Sequence, residues 1–543
     1  MEIMAKMSEV MQRLQVQILI ILCLFLFTFQ MGNYPFLDGD ATFYGQISKN
    51  MIEHGDWITL RFDHNDPTYF VDKPPLTMWV TAVLFKIFGT NEYVARSWHN
   101  LLAVFCVWLT YLIGLRLFKH QIALLAGFIM ATSLQFFYQA REPLQDIPLL
   151  AFFLLSFYFF LLLLKHKKFG YVHLIALFTG LAVMTKGPVG LLIPGLVMFI
   201  YFIAGKEYEN FKLKEYLVHL PLALLVFLLV TLPWHIAEYL KEGPTFLNFY
   251  FGERTLVRYL GTGSFPGSAL PSYLGYLVAG FLPWTIFLFQ ALIAAVKQIK
   301  SRLADDEVNG VLFLVIWLVV VFCFFALSPG RIFMRYLLPL FPAVALLIAK
   351  YLHESVNSSF TWAGISALFT GIIISLLTVF LNYIPAFPSV IPNKYVYLSV
   401  LNPLLLGLSS GLLLCAYFIF RKEARKAIYL LICFISMSYL IFTVALVKNT
   451  PVLLPEKQVA QYINITFPAN MPSAKYMPAG GGVTMLSFYL KPYLKCLRNE
   501  AELQEFLSNN GQAVVIIEKE TVLPGNTNMA LVNDISGWKV YRK

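Results

Sequence analysis

The sequence contains an early apolar run, QILIILCLFLFTFQM at residues 17–31, which is followed after four residues by FLDGDATFYG at residues 36–45. The run has no charged residue and about the length needed to cross a bilayer as a helix. Basic residues precede it and no small-residue cleavage site follows, which is typical of a retained signal anchor with a cytoplasmic N-terminus. Asp38 and Asp40 therefore stand where the chain leaves the membrane.

The composition agrees with a membrane location for most of the chain. Its 543 residues are 58% hydrophobic and 13% charged, against roughly 25% charged residues in soluble domains. The net charge of +11 does not indicate nucleic acid, because membrane proteins concentrate basic residues in cytoplasmic loops. Five of the six cysteines lie in apolar runs, which excludes a disulfide framework and metal-ligand spacing. We expect a polytopic protein that contacts membrane lipids and binds no nucleic acid.

Thirteen apolar stretches are long enough to be transmembrane helices. The predicted spans are residues 15–33, 97–117, 122–140, 145–164, 171–186, 188–206, 217–239, 273–297, 310–328, 333–351, 361–383, 398–420 and 427–446. Every connection expected on the cytoplasmic side is basic, in agreement with the positive-inside rule. The odd number places the C-terminal residues on the far, periplasm-like side of the membrane.

The residues after the last span are different in kind. Three stretches predict strands and one predicts a helix; they are GVTMLSFYL (482–490), AVVIIEKE (513–520), WKVYRK (538–543) and the helical NEAELQEFLSNNG (499–511). We expect an α-helical transmembrane domain over residues 1–446, with a periplasmic loop at 34–96. A small periplasmic α/β domain is expected over residues 447–543.

Several charged residues fall on the predicted periplasmic side, where orientation does not require them. They are Asp40, Asp72, Lys73, Arg141, Glu142, Asp146, Lys186, Glu253, Arg254, Arg258, Arg331 and Arg335. Most adjoin the outer end of a span, and an ionisable group at that depth is costly unless it is paired or faces water. Cations suit a phosphate, and carboxylates can accept a proton from a nucleophile. The set therefore fits transfer chemistry with a phosphate leaving group.

Each of these residues also has a structural explanation. Arg141 and Arg335 could extend from helix ends toward lipid headgroups. Lys73 precedes two prolines in VDKPPL, and this rigid extended stretch favours a functional role. Asp38 is better explained as a helix cap than as a catalytic group. Asp40 could cap the helix predicted to begin there or act as a base, and the two uses compete because a helix N-terminus favours the ionised carboxylate.

An ordered set of short motifs runs from about residue 36 to residue 345. They are DATFY, EHGDWITL, YFVDKPPLTMW, REPLQDIPLL, VMTKGPVGLLIP, TLPWHIAEYL, FYFGERTLVRYL, GFLPWTIF and LSPGRIFMRYLLPLFP. The set resembles the GT-C class of membrane glycosyltransferases, specifically the protein O-mannosyltransferase and aminoarabinose transferase group. The resemblance implies transfer of a sugar from a polyprenyl phosphate to an acceptor at the periplasmic face.

The resemblance also implies roles for individual residues. Asp40 and Asp146 match the catalytic carboxylates, and Lys73 matches the lysine that binds the donor phosphate. The complete set of substrate-binding candidates is Tyr44, Asp72, Lys73, Arg141, Arg254, Arg258, Arg331 and Tyr336. Asp72 and Arg254 stand where aminoarabinose transferases usually carry Glu and His, and Phe43 stands in place of an Arg. We expect no required cofactor, and these departures leave a divalent metal and the identity of the sugar open.

The predicted mechanism is an inverting displacement in which Asp40 orients or deprotonates the acceptor and Asp146 has a positioning role. Lys73, Arg258 and Arg331 would stabilise the departing phosphate. Lipid A is the expected acceptor, and Ser or Thr hydroxyls of proteins are the alternative. A lipid or sugar transporter is the alternative from another class, but its charges would be expected near the midplane of the membrane. A lipid-binding sensor would transfer no sugar.

Overall fold

The structure, a computed structural model, describes residues 2–62, 73–207, 217–261, 267–301, 306–328, 330, 332–355, 361–383, 394–478, 484–491, 494–518, 521–525 and 527–543. The helices of the first half are α1 (Glu2–Thr28), α2 (Gly39–His54), α3 (Leu76–Phe88), α4 (Glu92–Leu117), α5 (His120–Ala131), α6 (Leu134–Gln139), α7 (Asp146–His166), α8 (Gly170–Lys186), α9 (Val189–Ala204), α10 (Leu220–Glu242) and α11 (Pro244–Leu247).

A π-helix, Asn248–Val257, leads into the second half of the bundle. The helices that follow are α12 (Arg258–Leu260), α13 (Leu270–Gly280), a 3-10 helix (Trp284–Phe287), α14 (Leu288–Lys300), α15 (Asp306–Ala326), a 3-10 helix (Met334–Leu340), α16 (Phe341–Ser355), α17 (Thr361–Tyr383), α18 (Lys394–Phe420) and α19 (Ala424–Leu453).

Among the described residues, nine helices are long and apolar enough to cross a membrane. The pair formed by α13 and Trp284–Lys300 is bent by 108° and would make a tenth span. Three predicted spans, 122–140, 171–186 and 188–206, correspond to the shorter helices α5, α8 and α9. The length of an apolar run does not show that these helices are short or that the pair is bent. The number of thirteen transmembrane helices therefore stays a prediction.

The helices differ in how much of their apolar surface is covered. In an apolar stretch of each span, 83% of the residues are buried in Met334–Ser355 and 67% in Asp146–His166, against 17% in Leu220–Glu242. Exposed apolar surface on a helix with all its internal hydrogen bonds is what contact with lipid requires. The charged residues near the start of α7 therefore lie at the end of an inner helix.

The end of α1, which we call the outer end of the bundle, is held by side chains from later in the chain. Arg141 donates to the carbonyl oxygens of Leu26 at 2.6 Å and Phe29 at 2.7 Å. Asn100 donates to the carbonyl of Phe27 at 2.7 Å. These carbonyls lack partners within the helix, and leaving them unpaired away from water would be costly.

The C-terminal region contains a five-stranded sheet in the order β2-β1-β3-β5-β4. Its elements are α20 (Glu456–Thr466), β1 (Ser473–Tyr476), α21 (Thr484–Tyr489), β2 (Leu494–Leu497), α22 (Glu500–Asn509), β3 (Val514–Glu518), β4 (Ala530–Ile535) and β5 (Trp538–Arg542). Strand β1 is parallel to β2 and β3, and β5 is antiparallel to β3 and β4. The sheet divides two apolar clusters, so the region has its own core.

Most sequence predictions for this region are confirmed. Strands β3 and β5 and helix α22 lie within the predicted stretches. The prediction of a strand over 482–490 is wrong, because Thr484–Tyr489 is helical. Its buried residues Leu486 and Leu490 are four positions apart and fit one face of a helix. The predicted domain boundary at 446/447 falls inside α19, which continues to Leu453.

Candidate active site

Two aspartates at the start of α2 share one arginine from the second half of the chain. Asp38 is the N-cap of α2, and its Oδ1 accepts a hydrogen bond from the backbone N–H of Asp40 at 2.8 Å. Arg335 donates from Nη1 to Asp38 Oδ2 at 2.8 Å and from Nη2 to Asp40 Oδ2. The prediction that Asp38 caps the helix is confirmed. Asp40 lies in the first turn instead, so its carboxylate is available for other contacts.

Asp146 reaches the same place from α7. Its Oδ2 lies 3.9 Å from Arg335 Nε, and its Oδ1 accepts a hydrogen bond from Lys186 Nζ at 2.6 Å. Asp146 begins α7 and Lys186 ends α8, and the signs of both charges suit those helix ends. Because α7 and α8 form a hairpin, the start of one lies beside the end of the other. We call Asp38, Asp40, Asp146, Lys186 and Arg335 the ion cluster.

The members of the ion cluster differ in their exposure. The side chain of Asp146 is 5% exposed, whereas that of Asp40 is 47% exposed. Burial raises the pKa of the Asp38 carboxyl above the ordinary aspartate value, while the charge of Arg335 acts in the opposite direction. Within the cluster, Asp40 is thus the carboxylate that a second molecule can reach.

A cavity of about 230 Å³ adjoins the ion cluster, and we call it the cationic cavity. Its lining includes Lys73, Lys186, Arg254 and Tyr336. Lys186 Nζ lies 4.7 Å from the centre of the Tyr336 ring, a cation–π contact. Lys73 is 9% exposed, and the prolines after it lead directly into α3 with Pro75 as the N-cap. The stretch that was expected to be extended therefore ends at the N-cap of a helix, two residues after Lys73.

A second cavity of about 560 Å³ lies next to the first and is lined almost entirely by apolar side chains. We call it the apolar cavity. Both cavities are lined by Pro188, Leu192 and Tyr250, so they are neighbours across one wall. Cationic and apolar spaces side by side suit a ligand with an anionic head and a hydrocarbon chain.

The remaining sequence candidates divide into three groups. Tyr44 is buried and interacts electrostatically with Arg335, so it lies beside the ion cluster. Arg141 does not contribute a free cation, because its guanidinium donates to the end of α1 and to the Tyr34 hydroxyl at 3.2 Å. We therefore correct the expectation that Arg141 binds substrate. Asp72 and Arg331, and the side chain of Arg258, lie outside the described part of the chain.

Three members of the ion cluster, Asp38, Lys186 and Arg335, were absent from the set of predicted site residues, and Asp38 was expected only as a helix cap. Arg335 was explained equally well by contact with headgroups, and Lys186 was only one of the charges on the predicted periplasmic side. Lys186 and Arg335 could have been found from their neighbours in the sequence, since Arg335 directly precedes the candidate Tyr336 and Lys186 is the middle residue of TKG (185–187) in the motif VMTKGPVGLLIP. Where side chains are described, no group of three or more His, Cys, Asp and Glu residues is arranged to hold a metal ion.

Comparisons with known proteins agree with this architecture. A family model described as dolichyl-phosphate-mannose-protein mannosyltransferase matches residues 72–236. A crystal structure of ArnT from Cupriavidus metallidurans bound to undecaprenyl phosphate has a TM-score of 0.77 and 22% identity, and covers 97% of each chain. The chain therefore resembles ArnT in fold over nearly its whole length. An archaeal oligosaccharyltransferase, AglB from Archaeoglobus fulgidus, has the same general fold, with a TM-score of 0.56 and 13% identity over 94% of this chain and 70% of AglB.

Curated relatives match this chain over only part of their length. An uncharacterized protein of Aquifex aeolicus is 29% identical over 366 residues, which are 66% of this chain and 68% of that protein. An undecaprenyl phosphate-alpha-4-amino-4-deoxy-L-arabinose arabinosyl transferase of Enterobacter is 30% identical over 328 residues. That match covers 58% of this chain and 55% of the Enterobacter protein. The predicted fold class, a helical multi-pass membrane protein with a small C-terminal α/β unit, is confirmed.

Proposed function

We propose that this protein transfers a sugar from undecaprenyl phosphate to lipid A at the periplasmic face of the inner membrane. The observation that carries the proposal is the half-exposed Asp40 of the ion cluster, which adjoins a cationic cavity and, beyond it, an apolar cavity. An isoprenoid phosphate has both chemical characters that these cavities suit. The proposal also includes a cytoplasmic N-terminus and a periplasmic C-terminal region.

In the proposed reaction, an acceptor oxygen forms a bond to the anomeric carbon as the bond from that carbon to the phosphate oxygen breaks. Asp40 orients the acceptor hydroxyl and takes its proton. Lys73 and Lys186 stabilise the negative charge on the departing polyprenyl phosphate, and Arg258 and Arg331 remain further candidates for this role. Arg335 holds the carboxylate of Asp40 in place, and Asp146 holds Lys186 through their hydrogen bond.

The names of similar proteins support the donor. The ArnT structure contains undecaprenyl phosphate, and the Enterobacter relative is described as acting with an undecaprenyl-phosphate-linked amino sugar. We take an amino sugar of this kind as the donor sugar. A protein hydroxyl is the second candidate acceptor, because the family model over residues 72–236 is described as a protein mannosyltransferase.

The test compares lipid A and envelope proteins by mass spectrometry in cells with the gene, without it, and with the Asp40→Asn variant. We expect a sugar on lipid A that is lost without the gene and lost again with Asp40→Asn, at a normal level of inserted protein. Glu53→Gln is the matched control, since Glu53 is an exposed acid on the same helix. Sugar on proteins instead of lipid A would select the second acceptor, and normal transfer by Asp40→Asn would remove Asp40 from the mechanism.

A further inference from the structure

The C-terminal region contacts the segment that carries Asp40. The ring of Phe488, in α21, lies 5.0 Å from the ring of Phe36, edge to face. A Cβ atom added at Gly45 would lie 3.1 Å from the same Phe488 ring. Phe36 and Gly45 are the first and last residues of FLDGDATFYG. One aromatic ring therefore packs against both ends of the stretch that contains Asp38 and Asp40.

Polar contacts follow the same path. The backbone N–H of Phe36 donates to the hydroxyl of Tyr489 at 3.4 Å. Lys49 Nζ, further along α2, donates to the carbonyl of Leu490 at 2.9 Å. Asn464 of α20 donates to the carbonyl of Tyr489 at 2.8 Å. The contact surface of α21 is thus tied to α2 on one side and to its own folded region on the other.

Asp40 is therefore held from two directions. Arg335 holds its carboxylate from the transmembrane side, and α21 holds its backbone segment from the C-terminal side. The residues assigned to the donor phosphate, Lys73 and Lys186, lie on other elements that line the cationic cavity. Loosening α2 should consequently disturb the acceptor side of the site more than the donor side.

We propose that Phe488 is a positioning residue, through which the C-terminal region fixes Asp40 against the acceptor. The inference rests on the proposed function for its catalytic part. Its physical basis is that displacing a catalytic group by about 1 Å can cost about 100-fold in rate even when the change lies far from the chemistry. A contact that only stabilised the fold would change the amount of active protein and leave the turnover of each active molecule the same.

The experiment uses the purified full-length chain and four variants. Phe488→Ala removes the ring, and Gly45→Ala places a methyl group against it. Phe488→Leu together with Gly45→Ala supplies space for that methyl group and is the rescue variant. Gly511→Ala is the control, because a Cβ there meets nothing within 4 Å. We measure kcat and the KM for the donor, together with backbone hydrogen exchange of α2.

We expect Phe488→Ala and Gly45→Ala to lower kcat by about 10-fold to 100-fold and to speed exchange in α2, with donor KM within about 2-fold of wild type. The double variant should recover part of kcat, and Gly511→Ala should match wild type. Unchanged exchange in α2, or faster exchange with unchanged kcat, would overturn the inference. If the wild-type chain transferred no sugar, the proposed function would fail, while the exchange measurement alone would decide whether α21 holds α2.

Discussion

Two networks of buried charge lie side by side at the outer end of the bundle and differ in their surroundings. Arg96 and Glu142, which we call the buried pair, are 0% and 1% exposed and are joined at 3.0 Å. Arg96 also donates to the carbonyls of Met31 at 2.6 Å and Pro35 at 2.8 Å. The ion cluster, by contrast, leaves the side chain of Asp40 47% exposed beside a cavity.

The difference separates structural charge from charge that is available for chemistry. The guanidinium of Arg96 donates to three backbone carbonyls and one carboxylate. The buried pair therefore holds the segment between α1 and α2 in place. The ion cluster has five charged side chains against two in the buried pair, and one of its carboxylates faces outward. Burial of charge alone would mark both networks as sites; exposure and an adjoining cavity select only one.

The largest effect should come from breaking the buried pair. Arg96→Met leaves Glu142 and three backbone carbonyls without their partner, and loss of one member of a buried pair costs about 3–5 kcal/mol. We expect little folded protein in detergent, measured by size-exclusion chromatography and thermal unfolding. Arg13→Met is the control, since its pair with Glu9 is exposed and worth about 0.3–0.5 kcal/mol. A stable Arg96→Met protein would show that the two networks differ less than we infer.

Removing the central arginine of the ion cluster should reduce activity more than it reduces stability. Arg335→Gln leaves Asp38, Asp40 and Asp146 without their shared cation, so the acceptor-side geometry should be lost. We expect kcat/KM to fall by about 100-fold to 1000-fold, as for loss of a catalytic hydrogen-bond donor, with less effect on thermal unfolding than Arg96→Met. Arg421→Gln, at an exposed position, should behave like wild type. Transfer within a few-fold of wild type would make the cluster structural as well.

A smaller effect is expected on the donor side. Lys186→Gln keeps a hydrogen-bond donor for Asp146 but removes the charge beside the Tyr336 ring. We expect kcat/KM for the polyprenyl phosphate donor to fall by about 10-fold, the scale of one charged hydrogen bond. Lys165→Gln, near the opposite end of the α7–α8 hairpin, is the control. A fall in kcat/KM for the acceptor with an unchanged kcat/KM for the donor would instead place Lys186 on the acceptor side.

The smallest effect should appear in the pH dependence of stability. Burial raises the pKa of Glu142 from its ordinary value of 4.5 to about 7, with Arg96 acting in the opposite direction. Between these values the folded chain binds more protons than the unfolded chain, so this group lowers stability as pH rises through the window. Glu142→Gln should flatten the fall in melting temperature from about pH 5 to about pH 8 by on the order of 2 °C. An unchanged slope would mean that Glu142 does not titrate in this range.

Part of this site could be predicted from the sequence. Apolar length gave the helices, and the motifs gave Asp40, Asp146, Lys73 and Tyr336, which the structure brings to one end of the bundle. Arg335 could not be predicted with equal force, because its partners Asp38 and Asp40 lie almost 300 positions away and only folding makes them neighbours.

Other errors have local causes. Arg141 was assigned to the site because its position near a helix end was known but the direction of its side chain was not. The stretch 482–490 was predicted as a strand because its short apolar run fits both helix and strand, and its packing against α2 favours the helix. The sequence predicts one span over residues 122–140, where the structure has α5 and α6, because the sequence around Thr132 is nearly continuous in apolar character.

The closure of α1 by Arg141 and Asn100 has a consequence for biosynthesis. The first span emerges from the ribosome long before residues 100 and 141 do, so carbonyls near its outer end have no permanent partner while the nascent chain is short. Until then, lipid headgroups or the insertion machinery must supply the hydrogen-bond donors for these carbonyls. Helix α1 becomes a fixed part of the bundle only when translation has delivered the side chains that pair with these carbonyls.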